Sequence, residues 1–430
     1  MGGGVGKILS RFIKYHSIRN KKIQHTVVIL EQPEKNQFVD YLKGSDCRLV
    51  FCPNPLELEE LVKSADIVQL EWWHHPIVAQ WMASNNNVPM RLIVWSHISG
   101  LHYPSIPRNF IALPHRFIFT SPCSLLADHL DFYSKQNLPL RVNIDVIPSS
   151  AGFSEIPKPS ERKINQKIKY GYLGTLNFAK LHPQIIEYLK AVTIPGFCTD
   201  FYGDNISEQE LLNQAHENGI ADRIKIHGYT ENPHEVLRSL DIFVYLLNPL
   251  HYGTTENVLL EAMASGAIAI VLDNPVEQSI IRSEYNGLVI KTPSEFARAL
   301  DYLVKHPEIR QKLSHNASQD VRTRFSLEKT ESRLQKHYQQ VMDEPKRVID
   351  FSSVFGKTPE NWFVSCLGDY KWCFFDANKE QLRDKRKKYR FLYEKTKSSV
   401  FHFLHYFPEQ KQLKEWAKRL EDDFETNQHM

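Results

Sequence analysis

The sequence predicts an α/β protein with two tandem doubly wound, Rossmann-like domains. Two series of short apolar runs alternate with segments of helical spacing, and most of these runs are apolar almost throughout. This alternation is typical of parallel sheets that helices cover on both faces. Residues 153–168 separate the two series and are rich in proline and lysine, which predicts a linker. A length of 430 residues suits two or three domains.

The composition is that of a soluble globular protein, with 42% hydrophobic and 24% charged residues. A net charge of +3 is too small to make nucleic acid the main partner. The six cysteines are scattered without a C-x-x-C pair, which disfavours a metal or disulfide framework and fits a reducing compartment. Neither an 18-residue apolar run nor a signal peptide is visible, so we expect a cytoplasmic protein.

The first series, residues 1–152, opens with the glycine-rich stretch MGGGVGK before a predicted helix from Lys7 to Tyr15. These glycines either let the backbone approach a phosphate or form a flexible start. No strand precedes them, which is unusual for an α/β domain. Predicted strands follow at 25–32, 47–52, 66–73, 90–97, 116–121 and 141–150, with predicted helices at 38–42, 56–65, 76–84 and 124–133.

Polar residues at the carboxyl ends of these strands are candidates for function, because ligands bind at that edge of a parallel sheet. Glu71, His74 and His75 follow the third strand, and His97 follows the fourth, close to Gly100. His97 is the best placed of these residues. The alternative is a structural histidine, which is the more common role for an isolated one.

The second series begins at Lys169. Its predicted strands cover 169–174, 198–204, 223–230, 241–247, 267–273 and 286–291, and its predicted helices cover 181–192, 208–219, 232–240, 276–283 and two segments of 293–325. Between the fourth and fifth strands lies HYGTTENVLLEAMASG, residues 251–266. Thr254 and Thr255 are good helix N-caps, and Gly266 suits the turn after a helix. The exposed N–H groups at such a helix start form an anion site.

Glu261 stands near the end of this otherwise apolar helix. An acidic residue there needs a reason, which is either a binding role or a solvated face or core hydrogen bond.

At these residues the chain resembles a glycosyltransferase of the GT-B fold, of the retaining family 4 type (group 1 glycosyl transferases). ENVLLEAMASG resembles the signature helix of that family, IHGYTENPHEVLRSLDIFVYLL the segment before it and NGLVIK the strand after it. GYLGTLNFAK resembles the glycine loop of the donor domain, and MGGGVG the amino-terminal glycine loop. The match is strong over residues 168–342 and architectural elsewhere.

The resemblance implies an acceptor-side domain at 1–152, a linker at 153–168 and a donor-binding domain at 169–342, with a cleft between the domains. It also implies that the extension at 343–430 packs back on the first domain. The extension is rich in aromatic residues, and its basic run at 383–397 either contacts anionic lipid head groups or forms a solvated helix face.

The resemblance also implies roles for single residues. Glu261 would accept hydrogen bonds from the donor ribose, since a carboxylate suits a vicinal diol. Lys180 would bind the diphosphate and neutralise the departing group. His97 would lie near the transferred sugar, and Tyr229 would contact the base. Further donor-binding positions lie in the glycine loops and at the start of the signature helix: Gly3, Gly4, Gly174, Thr175, Gly253, Thr255, Asn257 and Val258.

Two positions depart from the family pattern. Gly253 stands where the first of two glutamates is expected, and Thr175 stands where an arginine is expected. Glu256 lies three residues after Gly253, about one helical turn away. Our hypothesis is that Glu256 replaces the missing glutamate and contacts the transferred sugar as a catalytic residue. The alternative is that Glu256 only complements the helix dipole.

The implied activity is metal-independent, retaining transfer of a sugar from a nucleotide-diphosphate sugar, most simply a UDP- or GDP-sugar, to a saccharide or lipid-linked acceptor. No other cofactor is expected. A lipid-linked acceptor would place the protein on the inner face of the membrane. The alternatives are an epimerase or phosphorylase of the same fold and a non-catalytic nucleotide-sugar-binding protein, which the changes at Gly253 and Thr175 would suit.

Overall fold

The computed structural model describes residues 3–84, 87–127, 130, 143–159, 167–204, 206–375 and 389–425. They form two compact units. Unit 1 comprises residues 1–151, 252–255 and 327–430, and unit 2 comprises residues 152–251 and 256–326. The division differs from the predicted domains at two places, the helix Leu327–Met342 and residues 252–255, which are predicted for the second domain and group with unit 1.

The strands of unit 1 are all parallel and form two sheets. They are β1 (His25–Ile29), β2 (Cys47–Phe51), β3 (Val68–Trp72), β4 (Leu92–Ser96), β5 (Arg116–Phe119) and β6 (Ile144–Val146). β1 pairs with β2, and the second sheet has the order β3-β4-β5-β6. Every residue of β4 and β5 is buried, as expected for a parallel strand that is covered on both faces.

The helices of unit 1 come from both ends of the chain. The amino-terminal ones are Gly3–Arg19, Gln37–Leu42, Pro55–Ser64, Pro76–Ser84 and Arg108–Ala112. The carboxyl-terminal ones are Leu327–Met342, Ser352–Phe355, Pro359–Ser365, Trp372–Phe375, Val400–Tyr406 and Lys411–Glu425. Helices from both groups share one core, in which Phe12 and Ile13 pack with Leu334 and Val341.

Unit 2 contains a six-stranded parallel sheet among its described residues. Its strands are β7 (Tyr170–Leu173), β8 (Thr199–Tyr202), β9 (Ile224–Ile226), β10 (Ile242–Tyr245), β11 (Ile268–Leu272) and β12 (Leu288–Ile290). The spatial order is β12-β11-β10-β7-β8-β9, so the order reverses between β10 and β7. Ligands of doubly wound sheets bind at the carboxyl ends of the strands beside such a reversal.

Helices follow these strands in alternation: Ile185–Lys190, Glu208–Glu217, Pro233–Ser239, Asn257–Ala264, Pro275–Ile280, Pro293–Lys305 and Pro307–Arg324. The α/β fold class and its parallel sheets are therefore confirmed. Each predicted strand contains an observed one, and every observed strand is shorter. β1, β2 and β5 begin where predicted and end earlier, and the others are shorter at both ends.

Three local predictions were wrong or incomplete. The first helix begins at Gly3, so Gly3 and Gly4 occupy its first turn instead of a loop before Lys7. The helix predicted over 124–133 is a 3₁₀ turn at Pro122–Leu126, and most of its remaining length lies outside the described residues. The signature helix begins at Asn257, so neither threonine before it is the N-cap. Within the described ranges, no helix is both long and apolar enough to span a bilayer.

Candidate functional site

The signature helix Asn257–Ala264 connects β10 to β11 in unit 2. Most of its side chains are buried, which matches its apolar sequence. Gly266 ends it with a φ of +85°, and a Cβ at this position would lie 2.6 Å from the side chain of Pro159. The end of the helix is therefore fixed by the freedom of glycine and by close packing. Glu261 lies on this helix and is buried, as is the backbone around it.

Glu256 is the N-cap residue of this helix, but its side chain makes no capping hydrogen bond. The carboxylate instead faces three side chains of unit 2. Tyr245 donates a 2.5 Å hydrogen bond to Oε2, and the ammonium of Lys180 donates one of 3.2 Å to the same oxygen. His251 Nδ1 lies 3.8 Å from Oε1. The side chain of Glu256 therefore makes contacts beyond its own helix, and its role toward a sugar or toward the helix dipole stays a prediction.

The charge on Glu256 is stabilised by these neighbours. Burial opposes its ionisation, but the charges of Lys180 and His251 and the hydrogen bonds from Tyr245 and Lys180 outweigh burial, so the pKa of Glu256 lies below its ordinary value. The pKa of Tyr245 is raised well above its ordinary value by burial and by the adjacent carboxylate. Glu256 is therefore a carboxylate and Tyr245 a neutral donor at neutral pH.

His251 joins Glu256 to a second buried carboxylate. Its Nε2 lies 3.3 Å from Oε1 of Glu277, whose side chain is fully buried. Burial lowers the pKa of His251, but Glu277 and Glu256 outweigh burial and raise it above its ordinary value. Asn274 Nδ2 lies 3.4 Å from Glu277 Oε1. The result is a buried polar network that runs from Lys180 through Glu256 and His251 to Glu277.

The backbone around Lys180 is held by two asparagines. Asn177 Oδ1 accepts the Lys180 N–H at 3.0 Å, and the carbonyl of Lys180 accepts the Asn248 N–H at 2.7 Å. The ammonium lies 5.7 Å from the centre of the Tyr245 ring. About a quarter of the lysine side chain, 28%, is exposed. Lys180 can therefore reach a ligand while its backbone stays in place.

The glycine loop after β7 fits closely against the turn after β8. Gly174 has a φ of +157° and Gly203 a φ of +148°, and a Cβ on Gly203 would lie 1.8 Å from the carbonyl oxygen of Gly174. The Gly203 N–H in turn donates to Gly228, just after β9. Thr175 continues the loop, and its carbonyl accepts the hydroxyl of Tyr172. The carboxyl ends of three neighbouring strands are thus tied together through backbone.

The remaining predicted residues of unit 2 lie at different depths. Val258 is half-buried in the first turn of the signature helix, beside Asn257 at its first position. Tyr229 is 53% exposed in the loop after β9. Of the predicted catalytic residues, the structure brings Lys180 and Glu256 together.

The other predicted residues belong to unit 1. The Thr255 hydroxyl donates to the Thr120 carbonyl at 2.6 Å and accepts the Ser149 N–H at 3.2 Å, so it is engaged by backbone groups of unit 1. Gly253 lies in the same short segment, residues 252–255. Gly3 and Gly4 are exposed in the first turn of the first helix. His97, just after β4, forms a 2.5 Å hydrogen bond with Glu71.

Sequence reasoning missed Tyr245, His251 and Glu277 as parts of this network. Tyr245 ends a strand that otherwise reads as apolar core, and the other two sit in loop and helix without a local pattern. Only the contacts of Tyr245 and His251 with Glu256, and of Glu277 with His251, reveal them. Glu71 was noted at a strand end, but its pairing with His97 was not predicted.

A comparison with family models matches residues 154–320 to the glycosyl transferases group 1. These residues include Lys180, the glycine loop and the whole signature helix. This segment is therefore similar to the group 1 glycosyl transferases.

Two curated proteins that resemble part of this chain are named as glycosyltransferases. EpsD of Bacillus subtilis (strain 168), which is named as a glycosyltransferase, is 30% identical over 176 residues, covering 40% of this chain and 45% of EpsD. The lipopolysaccharide core biosynthesis glycosyltransferase LpsE of Rhizobium meliloti (strain 1021) is 26% identical over 137 residues, covering 31% and 39%. The chain thus spans less than half the length of these relatives.

Solved structures of glycosyltransferases share the fold. Anabaena HepE, solved in complex with UDP and glucose, superposes with a TM-score of 0.62 at 14% identity, covering 79% of this chain and 96% of HepE. Sucrose-phosphate synthase from Thermosynechococcus elongatus gives a TM-score of 0.57 at 14% identity, covering 77% and 92%. At these identities the likeness establishes the GT-B fold alone.

Proposed function

We propose that this chain is a retaining glycosyltransferase that transfers a sugar from a nucleotide-diphosphate sugar to a saccharide or lipid-linked acceptor, without a metal ion. One observation carries the proposal: the partly exposed ammonium of Lys180 contacts the N-cap residue of the signature helix, and the buried Glu261 lies further along that helix. An ammonium beside a helix N-terminus favours a diphosphate. A carboxylate on the same helix suits the ribose diol.

The proposed chemistry assigns each group one task. Lys180 and the first N–H groups of the signature helix stabilise the negative charge that develops on the departing nucleoside diphosphate. Glu261 holds the ribose, and Glu256 contacts the transferred sugar. His97 is assigned to a contact with the transferred sugar, and Tyr229 to a contact with the base. The donor is a UDP-sugar in the first instance, because Anabaena HepE was solved with UDP-glucose.

The test is calorimetric titration of the full chain with UDP-, GDP- and ADP-glucose, followed by assays of donor hydrolysis and of transfer. We expect one nucleotide to bind clearly more tightly than the others and its sugar to be hydrolysed slowly without acceptor. Activity is expected to persist in EDTA, and NMR of the transferred product is expected to show the anomeric configuration of the donor. Inversion of that configuration, or loss of activity in EDTA, would overturn the corresponding part of the proposal.

A second candidate is a non-catalytic nucleotide-sugar-binding protein. It is favoured by the hydrogen bond that already engages Lys180 with Glu256, and by glycine and threonine at positions 253 and 175, where the family has a glutamate and an arginine. Tight binding of a nucleotide sugar with neither hydrolysis nor transfer to any acceptor would select this candidate.

We also propose that the chain makes peripheral contact with an anionic membrane surface. LpsE is named for lipopolysaccharide core biosynthesis, so a lipid-linked saccharide is a reasonable acceptor class here. The basic run at 383–397 would supply the contact, although residues 383–388 lie outside the described residues. Sedimentation with vesicles of phosphatidylglycerol, compared with vesicles of phosphatidylcholine, tests this contact. Equal sedimentation with both lipids would contradict it.

A further inference from the structure

A carboxylate and an imidazole meet at the carboxyl ends of β3 and β4 in unit 1. Glu71 lies one residue before the end of β3, and His97 directly follows β4. The His97 N–H donates to the carbonyl of Trp72 at 2.8 Å, which fixes its backbone to β3. The two side chains form a 2.5 Å contact between His97 Nε2 and Glu71 Oε2, and their exposed fractions are only 5% and 13%.

The second oxygen of Glu71 is also engaged. Gln69 lies two residues earlier on the same face of β3, and its Nε2 donates to Glu71 Oε1 at 2.5 Å. The Oε1 of Gln69 accepts the hydroxyl of Tyr338, from the helix Leu327–Met342, at 2.6 Å. Burial, with Glu71 and Glu331, raises the pKa of Tyr338 far above its ordinary value, so its hydroxyl stays protonated. The hydroxyl of Tyr338 is therefore the hydrogen-bond donor to Gln69 Oε1.

The donor and acceptor of each hydrogen bond between Tyr338 and His97 can be assigned in order, beginning at Tyr338. Because Tyr338 donates to Gln69 Oε1, the amide nitrogen of Gln69 must face Glu71. The flipped amide would place an oxygen against the carboxylate. Glu71 then accepts from both sides, as a carboxylate does. His97 must consequently carry a proton on Nε2.

The same reasoning fixes the other nitrogen of the ring. A neutral imidazole with its proton on Nε2 has a lone pair on Nδ1. Among the described residues, His97 Nδ1 forms no hydrogen bond, and this atom is not fully enclosed by protein. It lies at the edge of a parallel sheet where ligands bind.

We propose that Glu71 is a positioning residue that holds the proton of His97 on Nε2 and thereby keeps Nδ1 as the acceptor for a substrate hydroxyl. The step that involves substrate rests on the proposed function, whereas the position of the proton does not. A carboxylate that fixes the tautomer of a histidine is a general device for orienting a ring nitrogen toward its target. Gln69 and Tyr338 fix the carboxylate in turn.

The test is ¹⁵N NMR, with magic-angle spinning, of the full chain labelled with ¹⁵N-histidine and free of ligand. The His97 signals are identified by their loss in His97→Gln. We expect a protonated Nε2 and an unprotonated Nδ1 in the natural protein near pH 8, and a mixture of tautomers in Glu71→Gln. A proton on Nδ1 in the natural protein, or an unchanged His97 spectrum in Glu71→Gln, would overturn the proposal.

Hydrolysis of the sugar nucleotide selected from UDP-, GDP- and ADP-glucose gives the functional readout. Glu71→Gln is expected to lower kcat by about tenfold and to leave KM for the donor nearly unchanged, because the variant disturbs the orientation of His97 and not binding of the nucleotide. Tyr338→Phe should cause a smaller loss in the same direction. Glu60→Gln, which removes an exposed carboxylate on the helix Pro55–Ser64, serves as the matched control and should leave kcat unchanged.

The NMR spectra and the hydrolysis kinetics distinguish failure of the proposed function from failure of the role proposed for Glu71. If no sugar nucleotide is hydrolysed, the proposed function fails while the NMR result still decides the role of Glu71. If the NMR spectra agree and kcat is unchanged in both Glu71→Gln and His97→Gln, the substrate step is overturned. Circular dichroism identifies a variant that does not fold, and Tyr338→Phe then supplies the NMR comparison, since loss of the phenol should also broaden the tautomer distribution.

Discussion

The ammonium of Lys180 donates a 3.2 Å hydrogen bond to the carboxylate of Glu256, 76 residues further along the chain. Both residues are candidates for binding the same donor, one at the diphosphate and one at the sugar. A diphosphate that binds Lys180 would therefore share the ammonium with Glu256. On the proposed function, we expect donor affinity and turnover to respond in opposite directions when Glu256 loses its charge.

Glu256→Gln is expected to tighten binding of UDP by about threefold, because the exposed end of Lys180 no longer pairs with a carboxylate. The same variant should lower the rate of donor hydrolysis by about tenfold or more, because the charge beside the transferred sugar is lost. Calorimetry measures the first effect and a coupled UDP-release assay the second. Glu217→Gln, an exposed carboxylate of the same unit, is the control. Unchanged turnover would end the assignment of Glu256 to the sugar.

Lys180→Met and Glu256→Gln should be coupled in stability. Each single variant abolishes the charge pairing between Lys180 and Glu256, so the double variant loses that pairing only once. We expect the double variant to be more stable than the sum of the single effects by about 1 kcal/mol. The measurement is urea unfolding of the four proteins in a double-mutant cycle. Additive effects would show that the hydrogen bond contributes nothing to the fold.

His182 should make unit 2 less stable in mild acid. Burial lowers its pKa from 6.5 to about 4. Between these values the unfolded chain binds a proton that the folded chain does not, so the contribution is complete above pH 6.5 and is lost as the pH falls toward 4. The loss amounts to roughly 3 kcal/mol for this group.

His182→Gln removes the titrating group but keeps a side-chain acceptor for the Gln184 N–H, which His182 Nδ1 accepts at 3.1 Å. We expect urea unfolding of the variant to depend less on pH between 6.5 and 4 than that of the natural protein. An unchanged dependence would place the acid sensitivity in other groups, such as His25, whose pKa burial also lowers to about 4.

Gly203→Ala should disrupt the donor loop, since its Cβ would lie 1.8 Å from the carbonyl oxygen of Gly174. We expect a loss of about 3 kcal/mol in unfolding free energy and weaker binding of UDP, because the backbone must separate. Gly219→Ala is the matched control: its φ is also positive, but a Cβ there meets nothing within 4 Å. That variant should cost only about 1 kcal/mol and leave UDP binding intact. Similar losses in both variants would attribute the effect to φ alone.

Alternation of apolar runs was enough to predict the parallel sheets, because a strand buried on both faces, such as β11, is apolar along its whole length. Prediction from local pattern fails at the start of the signature helix. Thr254 and Thr255 suit an N-cap by local chemistry, yet the Thr255 hydroxyl bonds to Thr120, 135 residues away. A tertiary contact of that length leaves no trace in a local pattern.

In the candidate site, too, some residues could be predicted from the sequence and others could not. Lys180 and Glu261 could be proposed from motif spacing, since both stand in ordered motifs of one family. The partners of Glu256 could not, because Tyr245 reads as strand core and His251 as loop. Glu71 and His97 are each visible at strand ends, but their register in neighbouring strands, with Glu71 opposite Trp95, is a property of the folded sheet.

Unit 1 is assembled from residues 1–151 and 327–430, with nearly all of unit 2 between them. During synthesis the amino-terminal segment emerges from the ribosome long before the helix Leu327–Met342, which supplies Leu334 and Val341 to its core. Domains fold as units as the nascent chain lengthens. Unit 2 can therefore complete its sheet first, while the core that contains Ile93 and Ile118 lacks Leu334 and Val341 until that helix is synthesised.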